Sequence, residues 1–468
     1  MESLPIQYLH LETAVLPIFL VMVLRMQLAR SAEPGYFVSR GRHQMIWLLA
    51  AFGLLALTFG ALLANVSPLL AVELAAGFTL SLLHPVNALC FFVLQLFLRP
   101  WEIVPNNALL LALPRAVGTL CVFSWLMHPG QHGKPAARTY RTLSLLLAFS
   151  IWLFLTTFQT PNIGETQVDW FSTYFKSLIV FVMGLFFIES ERSISEFKLT
   201  LVISALALMV VRIYQYHTEG PGLVRLESGG MFGDPNDLAA VVVMALPFAL
   251  VPVFKKAAHL GQQVLGILFG GISGLVIWYS QSRGAMLGLA MQALTVGYLM
   301  SNGKKWLRTL LLGSLLGAGY IAAIKAIPRE SAEMHASSES RITYWKTAVN
   351  MTLRHPIFGV GFDQYPKNYD SYSVGTKYEW GRRTAHSSWF LAFAESGIPG
   401  GVLFVSFFVI VLKTAWRNRQ QWPEHLYALV GYGVVMSFLS HTYVMYIFLL
   451  AGLILASDSL KERSEDGF

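Results

Sequence analysis

The chain has 468 residues, of which 55% are hydrophobic and only 13% are charged. A soluble globular protein carries about 25% charged residues, so the composition excludes an ordinary soluble domain. The net charge is +8, but the lysines and arginines are spread over loops between apolar runs, which is not the pattern of a nucleic-acid-binding protein.

Apolar runs long enough to cross a bilayer recur along the whole chain, and they lack the alternation of a membrane β-barrel. We therefore predict an all-α, polytopic membrane protein with about 12–15 transmembrane helices. The first run, 11–28, is followed by a basic loop, so we interpret it as the first helix and not as a cleaved signal peptide. The predicted spans lie near 11–28, 45–64, 67–83, 86–98, 108–127, 142–160, 171–188, 198–216, 238–254, 261–280, 285–300, 307–326, 387–412, 426–440 and 443–457.

Short basic loops predict the topology. When these spans are counted along the chain, all such loops fall on one side, which is then cytoplasmic. The largest loop on the opposite side is 327–385. We predict four regions: N-terminal transmembrane helices (1–197), a transmembrane core (198–326), the large outer loop (327–385) and C-terminal transmembrane helices (386–468).

Five cations are predicted to lie near the outer membrane interface, with few acidic partners in the same spans, Glu73 being the main exception. One such cation can extend to lipid headgroups, but a set of buried cations costs free energy unless an anion binds. Arginine binds phosphate oxygens in pairs, so a lipid-linked phosphate or pyrophosphate would suit them. The five are Arg115, Lys176, Arg212, Arg225 and Arg283.

The segment 224–239 contains three glycines and then Asp234-Pro-Asn-Asp. This pattern is typical of a loop that leads into a helix, with Asp234 or Asn236 as the capping residue. It could serve only as a turn and helix cap, or it could shape the surroundings of Arg225.

The large outer loop contains an amphipathic helix, predicted over Ser340–Met351 and including Arg341, which His355-Pro should end. Such a basic, partly apolar helix could rest on lipid headgroups or cover a site beneath it. The apolar periodicity of the helix is the same in both cases, so both alternatives stay open.

His386 is predicted at the outer end of a helix, at the depth of the cations. The helix dipole and nearby arginines disfavour its protonated form, and a neutral imidazole can accept a proton from a hydroxyl. The alternative is an interfacial histidine that bonds to its own loop. Glu395, about three turns deeper, is interpreted as a structural partner of a buried polar group.

Residues typical of a metal or redox site do not cluster in the sequence. The acidic residues of the outer loops show no paired spacing, the histidines lack ligand spacing, and Cys90 and Cys121 lie inside apolar runs. We predict no metal and no cofactor. In a glycosyl-transferring enzyme, arginine would then stabilise the departing phosphate.

Three elements together resemble the bacterial O-antigen ligase and polymerase superfamily. His386-Ser387, nine residues and Gly397-Ile-Pro-Gly400 resemble the ligase signature, although many members have asparagine in place of Ser387. Two further elements resemble other motifs of the superfamily. One is Ser282-Arg283-Gly284 together with the Arg225 segment, and the other is Arg341-x-x-Tyr-Trp together with His355-Pro-x-x-Gly-x-Gly. The resemblance covers roughly 200–450 and implies a fold like that of C-type glycosyltransferases.

The resemblance implies transfer of a glycan from an undecaprenyl-pyrophosphate carrier to a lipid-linked or glycan acceptor, without a metal. The reaction would take place at the periplasmic face of the bacterial inner membrane. His386 would be the general base, and Arg225 and Arg283 would hold the pyrophosphate, with Arg115, Lys176, Arg212 and Arg341 as further substrate-binding candidates. No nucleic acid is implied.

Three alternatives remain open at this point: a polysaccharide polymerase, a protein O-glycosylation ligase and, in a different class, a transporter of lipid-linked glycans. A transporter would place charges near the centres of its spans, ideally in two matching halves. Here the charges gather at one face.

Overall fold

The computed structural model describes residues 52–56, 60, 68–103, 107–129, 133–219, 225–226, 234–255, 259–300, 331–374 and 384–465. The predicted spans 11–28 and 307–326, and most of 45–64, lie outside these residues. The described residues form helices and loops and contain no strand, which confirms the all-α prediction.

Sixteen α-helices are numbered here in chain order over the described residues. The first eight are α1 (Pro68–Ser81), α2 (Pro85–Leu98), α3 (Pro100–Ile103), α4 (Ala108–Met127), α5 (Ala137–Thr156), α6 (Ile163–Asp169), α7 (Phe175–Phe187) and α8 (Glu191–Glu219). The others are α9 (Pro235–Val253), α10 (Leu260–Ser280), α11 (Arg283–Met300), α12 (Ser331–Arg354), α13 (Tyr365–Tyr372), α14 (Ser388–Arg417), α15 (Pro423–Met436) and α16 (Met445–Glu465). A 3₁₀ turn (Thr157–Gln159) follows α5, and a π-helical segment (Trp170–Tyr174) joins α6 to α7.

Seven helices in the described part of the chain are long and apolar enough to cross a membrane. Several of them expose large apolar side chains, such as Leu126, which is 62% exposed, and Ile267, which is 67% exposed. Such side chains are stable where they contact lipid, because a helix has already satisfied its backbone polar groups. The chain is therefore a polytopic helical membrane protein, while the total of 12–15 spans remains a prediction.

The described residues divide into two compact units, one within Met1–Gly133 and Phe187–Tyr214 and the other within Lys134–Phe186 and Gln215–Phe468. In the first unit, α1, α2 and α4 pack together. There the Gln95 side chain donates to Glu73 over 2.9 Å, so Glu73 bonds to an amide. The four regions predicted from the sequence remain a prediction.

In the second unit, α9, α10, α11 and α15 pack together, while α14 packs against α5, α12 and α15. Close approach of the helices depends on small residues. A Cβ atom at Gly288 of α11 would lie 2.9 Å from the carbonyl oxygen of Gly431 in α15. The buried amide of Gln292 donates to the carbonyl of Val243 over 2.7 Å and joins α11 to α9.

Helix α14 is kinked at Gly397, whose φ of 70° lies in the left-handed region. The segment that follows α12 binds this kink through its backbone. The amide of Val360 donates to Ala394 O over 2.9 Å, and the amide of Ile398 donates to Pro356 O over 2.8 Å. The carboxylate of Glu395 accepts from the Tyr365 amide over 3.0 Å, so Glu395 has the structural role interpreted from the sequence.

Gly397→Ala should lower the apparent melting temperature of the purified protein by several degrees. A left-handed conformation costs alanine about 1 kcal/mol or more, and the added Cβ would meet the carbonyl groups of Pro356 and Ile357. Gly271→Ala is the control, because Gly271 is exposed in α10 and a Cβ there meets nothing within 4 Å. Equal melting temperatures for both variants would contradict the prediction.

Candidate functional site

A cavity of about 220 Å³ lies where several helix ends of the second unit meet. It is bounded by the beginning of α9, the beginning of α14 and the connection between α15 and α16. Its lining residues are Asp234, Asp237, Thr384, His386, Leu439, Ser440, His441, Val444 and Tyr446. The cavity therefore combines two carboxylates, two imidazoles and three hydroxyl groups with apolar side chains.

Ser388, the first residue of α14, fixes this helix to the connection between α15 and α16. Its hydroxyl donates to Leu439 O over 2.7 Å and accepts from the amide of His441 over 2.8 Å. The Thr442 hydroxyl donates to Ser388 O over 2.8 Å, and the Thr384 hydroxyl donates to that of Ser440 over 2.6 Å. These bonds hold the chain on both sides of His386.

His386 lies directly before Ser387, the N-cap residue of α14, as the sequence predicts. Its φ of 45° is left-handed, a conformation that costs a residue with a Cβ of the order of 1 kcal/mol or more and that persists only where the surroundings impose it. Its ring centroid lies 5.4 Å from that of Tyr344 in α12. The positive end of the α14 dipole favours a neutral imidazole.

A second histidine, His441, lines the cavity and forms a hydrogen-bonded chain. Its Nε2 lies 2.9 Å from Asp237 Oδ1, and its Nδ1 lies 2.8 Å from the hydroxyl of Tyr432. A carboxylate only accepts, so in the neutral ring Nε2–H donates to Asp237 and Nδ1 accepts from Tyr432. Tyr432 is fully buried, whereas the Asp237 side chain is 29% exposed.

Sequence reasoning did not single out His441, Tyr432 or Ser440. One local signal was available: Ser440-His-Thr-Tyr443 is a short polar break between two apolar runs. The partner of His441 lies 204 residues earlier in the chain, so no local pattern indicates the pair.

Asp234 caps α9, as the sequence predicts, by accepting from the amide of Asn236 over 2.8 Å. The side-chain amide of Asn236 also donates to Asp234 over 2.8 Å, and its oxygen accepts from the guanidinium of Arg225 over 3.2 Å. The segment Asp234–Asp237 thus contacts Arg225 through Asn236 and His441 through Asp237.

Arg225 also lies beside the connection from α10 to α11. Its Nε donates to Ser280 O over 3.0 Å, and the next amide, of Leu226, donates to Tyr279 O over 3.0 Å. Arg283 begins α11 three residues after Ser280. The structure therefore brings the backbone segments of Arg225 and Arg283 together.

The position of Arg283 favours an anion. It is the first residue of α11, and the hydroxyl of Ser282 accepts from the Ala285 amide over 3.4 Å in the manner of a cap. A cation at a helix N-terminus is unfavourable by about 0.3–1 kcal/mol, whereas an anion is stabilised there. An anion bound there would therefore be contacted both by the backbone amides at the start of α11 and by the guanidinium of Arg283.

Arg341 is brought to this end of the unit by α12, which packs against α14. Its guanidinium lies 5.8 Å from the ring centroid of Phe438, and a Cβ at Gly284 would lie 3.3 Å from that side chain. Trp345 stacks on Phe390 at 5.6 Å. The predicted amphipathic helix exists, is longer than predicted, and packs on protein beside His386.

The other three predicted cations are placed differently. Lys176 is exposed on α7 and does not line the cavity. Arg115 and Arg212 belong to the first unit: Arg115 is exposed on α4, and buried Arg212 lies 3.9 Å from the carboxylate of Glu102. The acidic partner of Arg212 lies outside its own span, in a residue distant in sequence, so the expectation of few acidic partners within the same spans does not concern it. The proposed substrate contacts of these three remain predictions.

Within the described ranges, no group of three or more histidine, cysteine or acidic side chains is arranged to hold a metal ion. The prediction of a metal-independent reaction depends on the arginines and remains a prediction.

Residues 268–405 match the family model described as O-Antigen ligase. The matched segment begins in α10, ends in α14 and includes Arg283, Arg341 and His386. No curated protein matches the chain. The match confirms the resemblance drawn from the motifs and supports a lipid-linked glycan ligase or polymerase type of activity in a multi-pass bacterial membrane protein. Residues 268–405 of the chain therefore resemble the O-antigen ligase family in sequence, and this segment contains two of the three motifs that carried the resemblance.

Proposed function

We propose that this protein is a glycan ligase. It transfers an oligosaccharide or polysaccharide from undecaprenyl pyrophosphate to a hydroxyl group of an acceptor such as the lipid A core. The observation that supports the proposal is the pair of bonds made by Arg225, one to Ser280 O, three residues before Arg283, and one to Asn236, whose neighbours Asp234 and Asp237 line the cavity that contains His386. A pyrophosphate binder and a proton acceptor then act on the same glycosidic bond.

The chemistry needs one proton acceptor and one stabilised leaving group. The imidazole of His386 takes the proton of the acceptor hydroxyl as its oxygen attacks the anomeric carbon of the donor sugar. A carbon–oxygen bond to the acceptor forms, and the bond to the pyrophosphate oxygen breaks. Arg225 and Arg283 stabilise the charge that develops on the pyrophosphate, which departs with its lipid.

The position of the cations suits a carrier lipid. Arg283 begins the apolar helix α11 and Arg225 bonds to the last residue of α10, so a bound pyrophosphate keeps its polyprenyl tail beside lipid-facing side chains. The short basic loops follow the opposite helix ends, after α9 and α14, and favour a cytoplasmic side there. The cavity then faces the periplasm of the inner membrane. A transporter is disfavoured because Arg283 begins its helix and Arg225 bonds to the last residue of α10, so neither arginine lies at the centre of a span.

His386→Ala should reduce transfer by about 100-fold or more, since a general base contributes about that much. Binding of undecaprenyl pyrophosphate should persist, because only proton acceptance is lost. Transfer is measured with purified protein and a lipid extract of a gene-deletion strain, which supplies accumulated donor and unmodified acceptor. His259→Ala is the control, since His259 is exposed at the far end of α10. Near-parental transfer by His386→Ala would show that another group is the base.

Arg225→Lys and Arg283→Lys should each reduce transfer about tenfold or more in the same assay. Lysine keeps the charge but cannot bind two phosphate oxygens with a planar fork. Arg419→Lys is the control, because Arg419 lies past the opposite end of α14. Full activity of both variants would instead assign these arginines to lipid headgroups.

The same experiment tests whether arginine takes the place of a metal. Transfer by the parental protein should persist in EDTA, because the arginines neutralise the leaving group. Loss of transfer in EDTA that magnesium or manganese restores would contradict this part of the mechanism.

Cysteines at opposite ends of the second unit should react differently with a membrane-impermeant thiol reagent in intact spheroplasts. Lys367→Cys should react before lysis, since Lys367 is about half exposed in the large outer loop. Lys413→Cys, exposed near the other end of α14, should react only after lysis. The native Cys90 and Cys121 are buried and give a low background. The reverse order would overturn the proposed topology.

A further inference from the structure

The cavity is lined by acidic and not by basic side chains. The carboxylates of Asp234 and Asp237 line it, whereas the guanidinium of Arg225 bonds to Asn236 and is not part of the lining. A pyrophosphate would be attracted to the arginines and repelled by the two carboxylates. The cavity beside His386 is therefore unsuited to the phosphate part of the donor, and its occupant is a group without negative charge.

The lining of the cavity suits a sugar ring. Asp237, Ser440 and Thr384 offer acceptors and hydroxyl groups, and Leu439, Val444 and Tyr446 add apolar and aromatic surface. Sugar hydroxyls donate strongly to carboxylates, whereas the C–H faces of the ring pack against apolar and aromatic side chains. Pockets of this composition orient a ligand with few polar groups.

Asp237 is both held in place and accessible. His441 donates to its Oδ1, and the ring of His441 is itself fixed by the buried hydroxyl of Tyr432. The Asp237 side chain is nevertheless 29% exposed, against 6% for His441. A carboxylate anchored through one oxygen in this way can present the other to a ligand without a loss of side-chain order.

We propose that this cavity is the acceptor-sugar subsite and that Asp237 binds a hydroxyl of the acceptor next to the one that His386 activates. His441 is a positioning residue that orients Asp237. The preferred occupant is a neutral or amino sugar, because an acidic sugar would meet two carboxylates. This inference rests on the ligase activity proposed above and adds the chemical class of the acceptor.

Asp237→Asn should raise the KM for the acceptor about tenfold, the loss expected when one hydrogen bond to a charged group is weakened. The KM for the donor should stay within about twofold, because the arginines bind it. Both constants are measured by varying the donor and acceptor fractions of the deletion-strain lipid extract separately. Asp370→Asn, the same change at an exposed position of α13, is the control. A rise in the donor KM alone, or no change in either constant, would overturn the subsite.

The role of His441 has its own readout. Glutamine can donate to Asp237 and accept from Tyr432, so His441→Gln should retain most of the acceptor affinity that His441→Ala loses. Both should keep the donor KM, which a general loss of packing would not. An equal loss of acceptor affinity in the two variants would show that the ring acts by volume and not by orientation.

The charge of the occupant is tested on the unaltered protein, where folding of a variant is not in question. Methyl glucoside and methyl glucosaminide should compete with the acceptor at least about tenfold more strongly than methyl glucuronide, which carries a carboxylate. Equal competition by the three, or competition by none, would contradict the proposal.

The two proposals fail separately. If Arg225→Lys and Arg283→Lys leave transfer unchanged, the proposed donor binding fails. If those variants are impaired while Asp237→Asn matches Asp370→Asn, the ligase activity stands and only the acceptor subsite is wrong.

Discussion

A helix that crosses a bilayer satisfies its own backbone groups everywhere except at its ends, and this constraint decides where polar chemistry can occur in the protein. The second unit follows the constraint closely. Its cavity lies at the first residues of α9 and α14 and in the connection between α15 and α16. The hydroxyl of Ser388 satisfies one backbone carbonyl and one backbone amide there, and so holds His386 at the rim.

A four-residue segment separates the charges of the site. Asp234-Pro-Asn-Asp begins α9, and its members contact Arg225 through Asn236 and His441 through Asp237. Because the same short segment contacts a cation and contributes two carboxylates to the cavity, a phosphate group and a sugar can be bound side by side in the proposed reaction. The arrangement gives the two proposed substrates separate surroundings at one reaction centre.

The ligase signature combines residues with different duties. His386 lines the cavity, whereas Gly397 forms the kink to which the segment after α12 is bound. Any side chain at Gly397 would meet the backbone of that segment. The spacing between the two residues therefore reflects the length of helix between the site and the kink.

Hydropathy and local motifs determined much of this protein. The helical membrane fold follows from the apolar runs, because lipid leaves few alternatives, and the cap at Asp234, the amphipathic α12 and the position of His386 follow from short-range patterns. Only the tertiary structure decided which distant residues meet. Three contacts show this. Asp237 meets His441 across 204 positions of the chain, Arg225 meets Ser280 across 55, and Arg212 meets Glu102 across 110. Helix periodicity reports which face of one helix is apolar, but it does not report which end of another helix lies beside it, so the proposed acceptor subsite could not be read from the sequence.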